Sequence, residues 1–595
     1  MNDKYYIMYH PISSQIMDKT GEADFTPIDL LSYLSGQDAA ELNENNYDKF
    51  LNFDLNKERS GILDHFGIEN YSSYYIANQI SKASPDSKIF LADGRRRQID
   101  EIIKNQGKKP DAVFMTTISS NFPTAVAVAI PLNYAKIPVI IGGIHVSTSL
   151  KDVETYIKRF VPHPELISQV RGAGDSKVMQ ALVSDLDHQT LKPEYCGSLT
   201  VEDGIWGGEN VIAMPSMKLE FFKKIPLIGK RLSESSRLNV ATPYLGCPFS
   251  CRFCSISTLP KRQRKFISRS PEDFINELKA IQKSGANLKN RFFFFLPDNF
   301  LLGRKKLDKI LDKIIDGDLK LNYAVQISID IADDQKMLEK LRRSGASHFF
   351  IGLESLDIRN LEYIGKNAVK GIKKSGLSVS KYYSKQIKKI IEYGISVHGA
   401  FICGLPYDYF HSLDDHTGRD IAKFCIENKI GIQPGSLTDL PGSLNFQESQ
   451  QNGNFLYGEV GTMDYLLALS ITDLSEMNRV VPDSLKNSPL VVAYMVYDTI
   501  ACVGATQNAI KSALNMAIKA WRSPTNNGRL RVKDRMVDSL GAIAFQFGVS
   551  AYKDVGDALV RSGNGIKGTF ERLYQSELNP EVKKMFTEYV KGFMV

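Results

Sequence analysis

The stretch GCPFSCRFCS, Gly246–Ser255, holds three of the chain's seven cysteines. Cys247, Cys251 and Cys254 form a C-x3-C-x2-C pattern, and Gly246 and Pro248 let the loop turn tightly enough to point the three sulfurs inward. A structural zinc site wants a fourth Cys or His at short spacing, and none follows nearby. An ordinary [4Fe-4S] cluster takes four thiolates, one on each iron. Three thiolates leave one iron without a protein ligand, and an open coordination position is what a catalytic metal site needs. Buried structural thiols, a zinc site and a redox sensor are the alternatives, and three thiols directly after a strand favour the cluster.

The surroundings of the loop decide the fold. Strand NVATPYLG leads into the cysteines, and the helix SPEDFINELKAIQKSG opens with Ser270 as cap and Pro271 at the first helical position. Strands RFFFFLPDNF, YAVQISIDI, HFFIGLES, VHGAFICGLP and GIQPGSLTDLPGS then alternate with helical segments. In YYSKQIKKIIEYG the apolar residues Tyr383, Ile387, Ile390 and Ile391 share one helical face. Six strand–helix units over about 210 residues predict a partial parallel (β/α)6 barrel, with chemistry at the C-terminal ends of its strands. The cysteine loop lies at that end.

The CxxxCxxC loop resembles that of the radical S-adenosylmethionine (radical SAM) enzymes, and SRSPEDFINEL, LPDNF, QISIDIA and FFIGLES extend the likeness along the barrel. The resemblance implies that Cys247, Cys251 and Cys254 bind a [4Fe-4S] cluster whose fourth iron chelates S-adenosylmethionine. It places Phe253 beside the adenine and implies reductive cleavage to a 5′-deoxyadenosyl radical, with the protein positioning the cofactor and excluding water. Asp298 and Asn299 match the region that contacts the methionine amino group, although the most similar members read Asp-Asp-Asn where Pro297 stands here. Gln326, Ser328 and Glu354 match positions near the ribose and carboxylate. For each of these, a polar residue satisfying a barrel mouth is the structural alternative. Cys403, Cys425 and Cys502 sit at spacings that suit no second cluster and read as buried thiols.

Upstream, from about Lys88 to Leu186, KIFLADG, DAVFMTTIS, PVIIGGIHV and SQVRGAG alternate with helical segments, and KYYIMYH supplies a first strand. This predicts a doubly wound, Rossmann-like parallel sheet. Gly142 and Gly143 end one strand, where absent side chains would admit a bulky ligand to the backbone. PVIIGGIHVSTSL followed by VRGAGDSKVMQAL resembles the cobalamin-binding domain of the cobalamin-dependent radical SAM branch, with Asp175 in place of a glutamate. The D-x-H-x-x-G sequence of other cobalamin proteins is absent, so the resemblance implies a corrin held by backbone contacts and apolar packing. His145 is the candidate for contact, against a hydrogen-bonded structural role. A dinucleotide site is disfavoured, since no G-x-G-x-x-G turn follows the first strand.

The expected organisation is therefore a cobalamin-binding-like α/β domain (1–190), a connector (191–235), the radical SAM barrel (236–450) and a mainly helical C-terminal domain (451–595). The basic loop WRSPTNNGRLRVKDR in the last reads as solvated rather than phosphate-binding. A net charge of +7 over 595 residues is too mild for a nucleic-acid binder. The apolar region Ala125 to Ile144 is interrupted by Pro131, Asn133, Lys136 and Pro138, so no transmembrane segment is expected. The start MNDKYYIMYH leads to no expectation of a signal peptide, and seven cysteines without a disulfide framework fit a reducing cytoplasm.

The resemblance, with two cofactors facing one cavity, implies a methyltransferase acting on an unactivated carbon of a small-molecule substrate: a lipid, a tetrapyrrole or another natural product. The resemblance also implies a low-potential electron donor of the flavodoxin or ferredoxin type. The alternatives are a radical cyclase or rearrangement enzyme with the same cofactors, or a radical SAM enzyme whose N-terminal domain has lost cobalamin. Methylthiolation is rejected, because only Cys196 precedes Cys247.

Overall fold

The computed structural model describes residues 4–11, 71–198 except 95, 211–213, 239–259, 267–284, 292–453 except 318, 320 and 413, and scattered positions from 455 to 502. Two parallel sheets organise them. β1 (Tyr5–Pro11), β2 (Lys88–Gly94), β3 (Ala112–Thr117), β4 (Val139–Gly143), β5 (Ile167–Arg171), β6 (Glu194–Cys196) and β7 (Val211–Ala213) form a seven-stranded sheet in the order β6-β5-β4-β3-β1-β2-β7. The strand order reverses at β1, so the crevice between the C-terminal ends of β1 and β3 is the topological switch point at which such sheets bind ligands.

Burial on both faces explains the continuous apolar runs of these strands. Ile7, Val113, Val139 and Ile141 pack with the helix Phe122–Tyr134 on one side, whereas Met8, Phe114, Ile140 and Val170 pack with the helix Ser176–Asp187 on the other. The region Ala125 to Ile144 thus resolves into a helix, a turn at Lys136 with φ 58°, and β4. Among the described residues no helix is long and apolar enough to cross a membrane. Asp175 accepts a hydrogen bond from the Val178 amide at 3.0 Å and caps the helix that follows it.

The second sheet begins with β8 (Asn239–Ala241). A short antiparallel pair, β9 (Tyr244–Leu245) and β10 (Ile267–Ser268), closes the base of the cysteine loop. β11 (Phe292–Phe295), β12 (Asn322–Gln326), β13 (Ala346–Glu354) and β14 (Ser396–Cys403) follow. After the small pair β15 (Phe410–Ser412) and β16 (Asp415–His416), β17 (Gly431–Ser436) completes a six-stranded sheet in sequential order. Every pairing in that sheet is parallel, and the helices Pro271–Ser284, Arg304–Asp316, Gln335–Ser344, Val379–Glu392 and Thr417–Asn428 alternate with the strands.

Alternation along the strands sends Phe293, Phe295, Tyr323, Val325, Phe349, Ile351 and Leu353 into the core shared with those helices. Leu307, Ile310, Leu311 and Ile314 meet them from the amphipathic helix Arg304–Asp316. Each such side chain contributes about 1.5–3 kcal/mol of burial. The predicted face of Tyr383, Ile387 and Ile390 is buried, with Ile391 half-buried beside it.

Two boundaries differ from expectation. β6 and β7 come from the stretch read as a connector, because Tyr195 and the VIA run supply edge strands to the first sheet. The third strand of the second sheet stops at Gln326, and Ile329–Asp333 is a 3-10 turn leading to a helix capped by Asp334, which accepts from the Met337 amide at 3.0 Å. The expected helical domain after residue 451, with its basic loop, lies almost wholly outside the described residues.

Candidate active site

The cysteine loop emerges from β9 through Gly246, whose φ of 79° is a left-handed turn that favours glycine. Arg269, buried beneath the loop, donates to Asp273 at 2.7 Å, pairs with Glu277 and reaches the Thr242 carbonyl at 3.4 Å. That network fixes the base. The outer part of the loop is pinned from far along the chain. Ser257, Thr258 and the Thr258 amide donate to the Gly442 carbonyl at 3.3, 2.6 and 3.1 Å. Arg252 pairs with Glu448 and lies 4.9 Å from the Tyr363 ring centroid, and its carbonyl accepts from the Asn445 amide at 3.2 Å.

Cys247, Cys251 and Cys254 form no disulfide and are half-buried. Burial raises the Cys247 thiol to about 11, and Asp298 and the other two thiols push it the same way. Burial also raises Cys251, opposed by the Lys366 ammonium and reinforced by Glu354. The three thiols, Asp298, Glu354 and Lys366 therefore share one electrostatic neighbourhood at the C-terminal ends of β8, β11 and β13. Among the described residues no three His, Cys, Asp or Glu side chains converge as a mononuclear metal site requires. Three thiols on one short loop, none in a disulfide, suit a cluster in which each iron takes its own thiolate. A positively charged cluster would lower the thiol pKa values, as metals do for coordinated thiols.

Glu354 ends β13 with φ 65°, a left-handed conformation that is uncommon for a residue bearing a side chain. The pairing of β13 with β14 shifts register between Gly352 and Glu354, and this bulge turns the carboxylate toward Lys366. Asn299 donates to the Ser328 hydroxyl at 2.6 Å and accepts from the Leu301 amide, tying the ends of β11 and β12 together. Gln326 is half-buried at the end of β12, and its carbonyl accepts from the Phe300 amide at 2.9 Å. Asp298 is exposed, and desolvation by the chain around it raises its carboxyl. Phe253 packs half-buried against the core of the second sheet.

The residues singled out in the first sheet behave differently. A Cβ on Gly143, at φ 105°, would lie 2.3 Å from the Thr117 carbonyl oxygen and 2.5 Å from its nitrogen. The missing side chain there lets β4 pack closely against β3. At Gly142 a Cβ would meet Val170 at an ordinary 3.4 Å. His145 is 1% exposed; its Nδ1 lies 3.2 Å from Ser119 Oγ, its Nε2 faces Asp152 Oδ2 at 3.1 Å, and its ring stacks on Phe122 at 4.1 Å. The ring is therefore buried and braced by Ser119, Asp152 and Phe122.

Sequence reasoning passed over Lys366, Arg252, Gly442 and Asp408. Asp408 is buried below the C-terminal end of β14, accepting from the amides of Gly404 and Leu405 at 2.8 and 3.0 Å and from Asn360 at 2.8 Å. Its burial outweighs those donors and raises the carboxyl to about 7. The segment GLPYD carried that signal, since a carboxylate four residues beyond a glycine strand end can fold back onto the strand's amides.

Residues 242–417 match the family model described as the Radical SAM superfamily. The hopanoid C-2 methylase of Rhodopseudomonas palustris (strain TIE-1) is 24% identical over 293 residues, 48% of this chain and 50% of that protein. The anaerobic magnesium-protoporphyrin IX monomethyl ester cyclase of Rubrivivax gelatinosus is 25% identical over 171 residues, 29% of this chain and 28% of that protein. The chain spans half or less of the length of these curated relatives. Among solved structures, the cobalamin-dependent S-adenosylmethionine radical enzyme OxsB with aqua-cobalamin bound covers 100% of this chain and 84% of its own, with TM-score 0.52 and 12% identity, a likeness of fold.

Proposed function

We propose, from the premise that residues 242–417 carry a radical SAM domain, that this chain is a cobalamin-dependent radical SAM enzyme that methylates an unactivated carbon of a small-molecule substrate. The observation that carries the reading is the three-thiol loop at the C-terminal end of a sequential parallel sheet, beside a second parallel sheet with its own switch point. The likeness to the hopanoid methylase supports methyl transfer. A lipid, a tetrapyrrole or another natural product is the substrate class.

In this reading the six-stranded sheet is the wall of a partial barrel. Cys247, Cys251 and Cys254 hold the [4Fe-4S] cluster. When bound, the cluster, S-adenosylmethionine and the corrin supply one-electron cleavage of the sulfonium and carriage of the methyl group. Glu354, held by Lys366, offers its second carboxylate oxygen to the donor's hydroxyl or ammonium groups. Asp298, Asn299, Gln326 and Ser328 line the same strand ends, and Phe253 offers a ring face to the adenine. The first sheet presents the β1–β3 crevice and the end of β4 to the corrin, and His145 keeps that end rigid without touching it. A low-potential flavodoxin- or ferredoxin-type donor and a reducing cytoplasm complete the requirements.

The test is anaerobic reconstitution followed by turnover with S-adenosylmethionine deuterated in its methyl group. About four irons and about one corrinoid per chain, with a deuterated methyl in the product, are expected. An unlabelled product would instead favour the second reading, a radical cyclase, which the likeness to the magnesium-protoporphyrin cyclase motivates. A chain that takes up iron but no corrinoid leaves only the radical SAM domain standing.

A further inference from the structure

Gly442 lies where three separate segments meet. Its φ is 86°, and a Cβ built there would lie 2.0 Å from the Ser255 carbonyl oxygen and 2.3 Å from Thr148 Cγ2. Ser255 directly follows Cys254. Thr148 ends the short helix that leaves β4, three residues beyond His145. The Thr148 hydroxyl turns back to the carbonyls of Ile144 and His145 at 2.9 and 3.1 Å, so the methyl is the group that meets Gly442. On the other side the Gly442 carbonyl holds the cysteine loop through Ser257 and Thr258. One backbone point thus touches the cysteine loop and the short helix that leaves β4.

The Thr148 helix and the loop that carries Gly442 are both braced. His145 anchors the Thr148 helix through Ser119, Asp152 and its stack on Phe122, and the loop after β17 is fixed by Asp439 with Ser449 and by Ser443, which accepts from the Phe446 amide at 3.0 Å. A contact between two braced bodies transmits a displacement instead of absorbing it, because packed interiors have little free volume. We infer that Gly442 is a positioning residue that sets the separation between the first sheet and the cysteine loop by leaving no side chain between Thr148 and Ser255. A methyl added there must push them apart. This deepens the two-cofactor reading and rests on it for its catalytic meaning, while the contact itself requires no cofactor.

The experiment compares the full chain with Gly442→Ala, Gly442→Ala/Thr148→Ser and, as a control for backbone strain, Gly453→Ala, whose glycine has φ 67° but nothing within 4 Å of an added Cβ. Hydrogen–deuterium exchange without cofactors reads the contact. Gly442→Ala should accelerate exchange at least tenfold at both 144–149 and 255–259; Thr148→Ser should return part of it, and Gly453→Ala should leave both segments unchanged. Unchanged exchange in Gly442→Ala, or an equal effect in Gly453→Ala, overturns the inference. After reconstitution with iron and cobalamin, pulsed EPR of the dipolar coupling between the reduced cluster and the cobalt(II) corrin should show a longer separation in Gly442→Ala at unchanged iron and corrinoid content. An unaltered separation overturns the positioning role. Wild-type protein that binds no corrinoid overturns that role and the two-cofactor reading, but leaves the exchange result to decide the contact.

Discussion

Lys366 Nζ stands 2.8 Å from Glu354 Oε1, and the space that lets the two meet is the absent side chain of Gly352, where a Cβ would lie 2.2 Å from the same oxygen and 2.9 Å from the same ammonium. The carboxylate is nearly buried and the lysine partly exposed. A bulge, a left-handed glutamate and a glycine therefore act together to aim one carboxylate at the mouth of the second sheet. Gly352→Ala should displace it and weaken S-adenosylmethionine binding by more than about tenfold, as expected for a lost charged hydrogen bond. Lys366→Met should cost about 1–3 kcal/mol of stability by stranding the carboxylate. Equilibrium binding to the reconstituted protein and urea titration measure the two effects.

Replacing Cys247, Cys251 or Cys254 singly with alanine should reduce reconstituted iron from about four per chain to a small fraction. Cys403→Ala and Cys425→Ala remove thiols buried in the core of the second sheet. They should leave iron content intact and cost about 1 kcal/mol of stability. Iron quantification and the visible absorbance of the cluster distinguish the two groups.

The pH dependence of stability should carry two opposed contributions from the second sheet. Burial depresses His348 to about 3 and His398 to about 4, so each stays neutral in the folded chain while the unfolded chain takes up a proton below about 6.5. Their contribution is present at neutral pH and lost as pH falls through that window. Asp408 acts the other way: with its carboxyl raised to about 7, its contribution is present in acid and lost as pH rises from the ordinary carboxyl range to about 7. Stability should rise between about pH 4 and 6.5, and Asp408→Asn should steepen that rise. Denaturation midpoints across this range check both signs.

His145 engages Ser119 and Asp152 through its two ring nitrogens. The bound cobalt(II) corrin should accordingly show no nitrogen hyperfine splitting from this side chain in its EPR spectrum. His145→Ala should instead cost about 2–4 kcal/mol through the lost ring packing and the stranded Asp152. A nitrogen splitting that vanishes in His145→Ala would contradict the assignment.

Much of the architecture was legible because it is written in local terms. The cysteine spacing, the alternating strands and the amphipathic face of Tyr383, Ile387 and Ile390 depend on residues a few positions apart, whose periodicity the backbone itself imposes. The six strands of the second sheet and the first strand of the upstream sheet follow from that local pattern, and the identities of Ser270 and Pro271 mark the helix start, where Ser270 Oγ accepts from the Asp273 amide at 3.1 Å. Tertiary structure decided what each polar residue does. A histidine after a strand reads the same whether it meets a ligand or, as His145 does, an aspartate and a serine; a glycine reads the same whether it admits a cofactor or, as Gly143 does, the neighbouring strand. The same holds for the cysteine loop: its three thiols are close in sequence, but the carbonyl that pins it belongs to Gly442, 185 residues beyond Ser257. Such contacts form only when the whole chain has closed, because their energy depends on separations that no local pattern encodes.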